Sequence, residues 1–146
     1  MVKNLQVNSI YNTAPGKTLI HNLVQYLKRE LNFEISSLNI NFINTNQITQ
    51  INKDYLNHHC STDIITFNYT GDHRLLEGEL YISVEDGRQN AKKYGVSPMD
   101  EYFRLIIHGI LHLLDYDDQN KSDKFAMKKL ENNLLNKYNR QSIETK

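Results

Sequence analysis

Two histidines four residues apart, His108 and His112, sit inside the most apolar stretch of this chain, R-L-I-I-H-G-I-L-H-L-L-D-Y-D-D over residues 104–118. On a helix, residues at i and i+4 share a face with Cβ atoms about 5–6 Å apart, so both imidazoles can reach one cation. Two ligands do not hold zinc firmly, and a third must stand nearby. Asp115, Tyr116, Asp117 and Asp118 follow the pair at once, so a chain that turns near Leu114 can bring a carboxylate back to it. Asp115 is a tolerable residue for such a left-handed turn, though glycine suits it better.

The register H-x3-H-x5-D is that of the extended zincin pattern H-E-x-x-H-x-x-G-x-x-H, with Asp118 standing where the third histidine would. Gly109 stands where the glutamate would. That glutamate is the general base of the metallopeptidases, so its absence argues against peptide hydrolysis.

These residues need a rigid helix to present them. Ser97 is a natural N-cap, Pro98 fits the first turn, and Asp100 and Glu101 suit the positive helix end. From Tyr102 to Leu114 the apolar residues cover most of the circumference, the mark of a central, buried helix. Glu101, Arg104, His108, His112 and Asp115 are spaced 3, 4, 4 and 3 and form one polar stripe, expected to face a cleft. An unpartnered polar group in such a helix costs on the order of 2–7 kcal/mol. The alternative to a metal is a buried hydrogen-bonded network joining Arg104, Glu101 and the histidines.

Around this helix the sequence predicts a small mixed sheet. Leu5, Val7 and Ile10 suggest a first strand, broken by Pro15-Gly16. An amphipathic helix follows over Lys17–Leu31, and S-L-N-I-N-F-I-N (37–44) alternates apolar with Asn as a half-buried strand does. Asn44 with Gln47 starts a short helix. Thr62–Tyr69 and Gly78–Ser83 read as strands around a loop at Gly71-Asp72. Ser83 and Gly95 cap a helix carrying Arg88, Lys92 and Lys93, and a last helix spans Ser122–Tyr138 with Ala126, Leu130 and Leu134 four apart. The expectation is one α+β domain over residues 1–146, with helices and a small sheet around the central helix.

Lys plus Arg and Asp plus Glu both number 17, so no global charge points to nucleic acid or membrane. Cys60 is the lone cysteine, which excludes an intrachain disulfide and suits a reducing compartment. M-V-K-N-L-Q-V-N-S-I-Y-N-T lacks a signal-peptide apolar run, and no segment approaches bilayer-spanning length. A soluble, cytoplasmic protein is expected.

H-G-I-L-H-L-L-D-Y-D-D resembles the signature of the YbeY family of endoribonucleases, also described as ribosomal RNA maturation factors, written H-G-x-L-H-L-x-G-Y-D-H. His108, Gly109, Leu111, His112, Leu113, Tyr116 and Asp117 match it. L-N-H-H-C-S-T-D-I-I-T-F (56–67) is similar to a family segment ending T-D-V-L-S-F, through Thr62, Asp63 and Phe67. G-E-L-Y-I-S resembles G-D-I-x-I-S, and Met127 and Glu131 fall where the family's last helix often has Met and Glu. The resemblance implies an α+β fold and one zinc ion held by His108, His112 and Asp118. It further implies hydrolysis of single-stranded RNA in small-subunit ribosomal RNA maturation and ribosome quality control. The implied partners are RNA, the small ribosomal subunit, a ribosomal protein and an assembly GTPase.

Two positions depart from the pattern. Asp118 replaces the usual histidine. A carboxylate still binds zinc at about 2.0–2.2 Å, but it acidifies metal-bound water less and widens tolerance for other divalent ions. Leu56 stands where the family usually has an arginine, and neither His58 nor His59 aligns with it. No catalytic base is assigned; Asp117, Asp115 and Glu101 are candidates, each also able to fix a histidine tautomer. Asp63 has a purely structural reading as a turn former, the basic helix a reading as a solvated face, and Cys60 one as a passive thiol. The other functional class is a ribosome-assembly binding factor whose metal is structural.

Overall fold

The computed structural model describes residues 1–9, 15–57, 62–116 and 118–144. Four strands and five helices follow one another along it: β1 (Leu5–Ser9), α1 (Lys17–Leu31), β2 (Glu34–Ile43), α2 (Thr45–Leu56), β3 (Ile64–Asn68), β4 (Leu75–Ser83), α3 (Val84–Tyr94), α4 (Pro98–Leu113) and α5 (Lys121–Glu144). The sheet order is β1-β2-β4-β3. β1 and β4 each run parallel to β2, and β3 pairs antiparallel with β4, so the sheet is mixed and the fold is α+β, as expected. β3 and β4 are thus neighbours joined through the loop at Gly71-Asp72.

Strand alternation sorts the two faces. Leu38, Ile40 and Phe42 of β2 and Leu76, Leu80 and Ile82 of β4 are all buried. Between them Asn39 and Asn41 pair in register with Glu79 and Tyr81 on the opposite face. β2 begins at Glu34 and β4 at Leu75, each three residues earlier than alternation alone predicts, because the two strands pair from Glu34↔Leu75 onward. Ile10, assigned by sequence to the first strand, lies outside the described residues.

α4 packs on the apolar face. Ten of its residues are buried, as its apolar circumference requires. Two glycines permit the close approach. A Cβ on Gly109 would lie 2.8 Å from Leu80 Cδ2 and 3.1 Å from Ile64 Cδ1. One on Gly78 would lie 2.6 Å from the Phe67 carbonyl and 2.9 Å from Leu113 Cδ2. A glutamate at position 109 would therefore meet the sheet rather than a cleft, which gives the departure from the zincin pattern a structural cause.

α5 runs from Lys121 to Glu144, longer at both ends than the sequence suggests. Its buried face is also turned from the expected one. Ala126 is exposed, while Met127, Glu131, Leu134 and Leu135 are buried, so a glutamate sits in the face that meets α4.

Candidate metal centre

α4 starts as its sequence dictates. The Ser97 hydroxyl accepts from the Asp100 N–H at 3.1 Å, with Pro98 in the first turn. It ends at Leu113, and the chain reverses through a left-handed Asp115 at φ 73°. The Tyr116 N–H donates to the Leu111 carbonyl and the Asp115 N–H to that of His112, each at 3.0 Å, the bonds of a Schellman cap. This turn returns Asp118 to the histidines.

The polar stripe divides into three parts. Glu101, expected at a cleft, does line one together with Arg104 and His108, but is itself only 1% exposed. Its two oxygens accept from Arg104 Nε at 2.9 Å and Nη2 at 2.6 Å. Arg104 Nη1 donates onward to Glu131 Oε1 of α5 at 2.9 Å. Two carboxylates buried together are tolerable because one guanidinium bridges them with bidentate geometry. Hydrogen bonding to Glu101 in turn holds that guanidinium protonated well above its usual range. The stripe's last member, Asp115, lies beyond the helix and is exposed, with its carboxylate 3.7 Å from His73 Nε2. It leaves the row because the helix ends two residues before it.

Between these ends lie the histidines. His108 Nδ1 meets Glu131 Oε2 at 2.5 Å. A carboxylate on Arg104 can only accept, so Nδ1–H donates and Nε2 carries the lone pair. His108 Nε2 and His112 Nε2 stand 3.0 Å apart. Asp118 Oδ2 is 3.6 Å from the first and 3.4 Å from the second. Burial, followed by the neighbouring His108, lowers the His112 pKa from its ordinary value, against the opposing pull of Asp118. The neutral ring this favours is the form that binds a metal.

His108, His112 and Asp118 thus offer donor atoms all within 4.8 Å of one another and could hold a metal ion. Zinc bonds of about 2.0–2.2 Å at tetrahedral angles separate ligand atoms by roughly 3.3–3.6 Å. The three observed separations fall close to that spacing, so the donor set fits a small divalent ion with little movement.

The hydrogen-bonded network and the candidate metal ligands meet at His108. Glu131, the residue that orients His108, was not among the acids singled out from sequence as tautomer-fixing partners. The sequence clues were its place in an otherwise apolar helical register and its match, with Met127, to the family's last helix. Asp63, which has a structural reading as a turn former, accepts from Asn90 Nδ2 of α3 at 3.0 Å, and the same amide lies 3.5 Å from Glu101 Oε2. Lys92 and Lys93 are exposed, and Lys93 Nζ is 5.6 Å from the Tyr94 ring centroid. Leu56 ends α2 and is 46% exposed. Asp117, His58, His59 and Cys60 lie outside the described residues. Among the described residues, no helix is long and apolar enough to cross a membrane.

Comparison with known proteins identifies the family. The chain is 38% identical over 112 residues to an Endoribonuclease YbeY of Amoebophilus asiaticus, covering 77% of this chain and 74% of that one. It is 34% identical over 131 residues to the Endoribonuclease YbeY of Chlorobaculum parvum, covering 88% and 92%. A Thermotoga maritima protein solved in solution shares the fold, with a TM-score of 0.65 at 21% identity over 94% of this chain and 93% of that one. The family model described as Endoribonuclease YbeY matches residues 1–139, and this chain belongs to that family.

Proposed function

We propose that residues 1–146 form one metal-dependent hydrolase domain that cleaves single-stranded RNA, with His108, His112 and Asp118 as ligands of one zinc ion. The observation that carries this reading is the convergence of two Nε2 atoms and one Oδ2 atom within 4.8 Å, in a chain of the endoribonuclease family. When bound, a zinc ion with three protein ligands supplies Lewis acidity toward a phosphoryl oxygen and acidifies a water.

The chain's own residues do the rest. Glu131 holds His108 in the tautomer whose Nε2 faces the site, and Arg104 holds Glu131. Glu101 has both oxygens engaged by Arg104, and Asp115 is turned toward His73, so neither is free to take a proton at the site. The third ligand being a carboxylate gives the site tolerance for divalent ions besides zinc. The biological setting we propose is small-subunit ribosomal RNA maturation and ribosome quality control in the cytoplasm, in contact with the small subunit, a ribosomal protein and an assembly GTPase.

One observation favours a second reading. Leu56, where the family usually has an arginine, is an exposed apolar side chain. A ribosome-assembly factor with a structural metal and little cleavage of its own accommodates it. Both readings meet one experiment: cleavage of single-stranded RNA by zinc-loaded protein beside Asp118→Ala, with zinc measured by elemental analysis. The hydrolase reading expects near-stoichiometric zinc and cleavage in wild type, and loss of both in a variant that still folds. Full zinc loading and small-subunit binding without cleavage would favour the assembly factor. Wild type that takes up no zinc on reconstitution sinks the metal site.

A further inference from the structure

A groove of about 570 Å³ opens from His108 and Asp118 and runs between α4 and α5. α5 lines it with Lys124, Lys128, Asn132 and Asn136, each four residues from the last. On a helix that spacing is a single row, its members about 6 Å apart along the axis. All four side chains are exposed. Among the described residues neither lysine is in an ion pair, whereas the groove's other charged groups are largely engaged. Glu101 and Glu131 are held by Arg104, and Asp100 accepts from Asn139 Nδ2 at 3.3 Å. The row's own charge is positive and lies at the Asp118 end of α5; the carboxylates of Asp100 and Asp118 also line the groove. Lys128 Nζ is 5.6 Å from the centroid of the Tyr94 ring, which also lines the groove.

This order has a chemical reading. Two cations one turn apart suit consecutive phosphates of a flexible strand. The two amides beyond them donate and accept, as base edges and sugar hydroxyls require. The volume, about 570 Å³, is that of a small-ligand pocket.

We propose that Lys124, Lys128, Asn132 and Asn136 form a track that binds single-stranded RNA on one side of the scissile bond, with the lysines on its phosphates and the amides on its nucleosides. The inference rests on the endoribonuclease reading and adds the residues that position the substrate.

Steady-state cleavage of a labelled single-stranded RNA by zinc-loaded protein tests it. Lys124→Ala/Lys128→Ala is expected to raise KM roughly 10-fold or more with kcat little changed. It should also flatten the plot of log kcat/KM against log salt by about 1.4, two phosphate contacts at about 0.7 each. Asn132→Ala/Asn136→Ala should raise KM and leave the salt slope as in wild type. Zinc content and thermal midpoint should be unchanged in both, since alanine is a good helix former and no ligand is touched. Lys17→Ala/Lys53→Ala, which removes the same charge outside the groove, should match wild type. The track is overturned if the groove pair keeps wild-type KM and salt slope, or if the control pair loses as much as the groove pair. Wild type that binds zinc but cleaves no RNA overturns the enzyme reading itself, a result distinct from either.

Discussion

His108 depends on a residue 23 positions away. Its Nδ1–H is committed to Glu131, so the ring cannot rotate its lone pair out of the site without breaking a short hydrogen bond to a buried carboxylate. Groups that orient a metal-binding histidine in this way typically carry 10–100-fold in metal affinity. Glu131→Gln removes the charge that both Arg104 and His108 engage while keeping the side chain's size. The expected outcome is a zinc Kd weakened about 10–100-fold, read by competition with a chromogenic chelator, in protein whose circular dichroism matches wild type. A Kd within about twofold of wild type would mean that Glu131 stabilises the α4–α5 packing and does not tune the metal. Arg104 makes the substitution informative rather than merely destructive, because its bidentate bond to Glu101 survives it.

At the scale of elements, the turn after α4 decides whether Asp118 reaches the histidines. Its left-handed residue is Asp115 at φ 73°, where an L side chain carries strain that glycine does not. The carboxylate's contact with His73 is exposed and offsets little of that strain. Asp115→Gly is therefore expected to stabilise the protein by up to about 1 kcal/mol, and Asp115→Val to destabilise it by about 1–2 kcal/mol. Urea midpoints measure both; a glycine variant less stable than wild type would contradict the strain argument. Zinc affinity should stay within about twofold in the glycine variant, since the ligand set is intact. This turn was legible in the sequence because its signals are local: a buried helical register that stops, then an Asx-rich run. So were the Ser97 cap and the alternation of β2. The approach of His108, His112 and Asp118 to one another was legible for the same reason, since all three lie within eleven residues. Glu131 was not, because a contact between α4 and α5 depends on how two helices rotate against each other. The periodicity of α5 misplaced that rotation by one residue, at Ala126. Asp115 was drawn into the helical stripe by a spacing that assumed α4 continues; the helix had already ended.

Across the whole molecule the sheet separates two environments. One face carries α4 and the candidate metal ligands. On the other, Phe67 of β3 packs edge-on against Tyr55 and Tyr81 and stacks with Tyr69. Glu79 accepts from the Tyr69 hydroxyl at 2.9 Å and from the Tyr81 hydroxyl at 2.7 Å. Burial, then the hydrogen bond to Glu79 and its negative charge, push the Tyr81 phenol up to about 12. In the unfolded chain a tyrosine titrates near 10. The folded protein thus keeps a proton that the unfolded chain releases, so this contribution to stability is complete below about pH 10 and disappears as pH rises toward about 12. Wild type should accordingly lose stability between about pH 9 and pH 11. Tyr81→Phe, which has no proton to keep, should show a shallower loss over the same interval, and Glu79→Gln an intermediate one, because burial still acts on the phenol when the charge is gone. Urea midpoints at the two pH values read the difference directly. Parallel slopes for wild type and Tyr81→Phe would show that the phenol titrates as it does in the unfolded chain, and that the face opposite α4 is more open to water than its packing indicates.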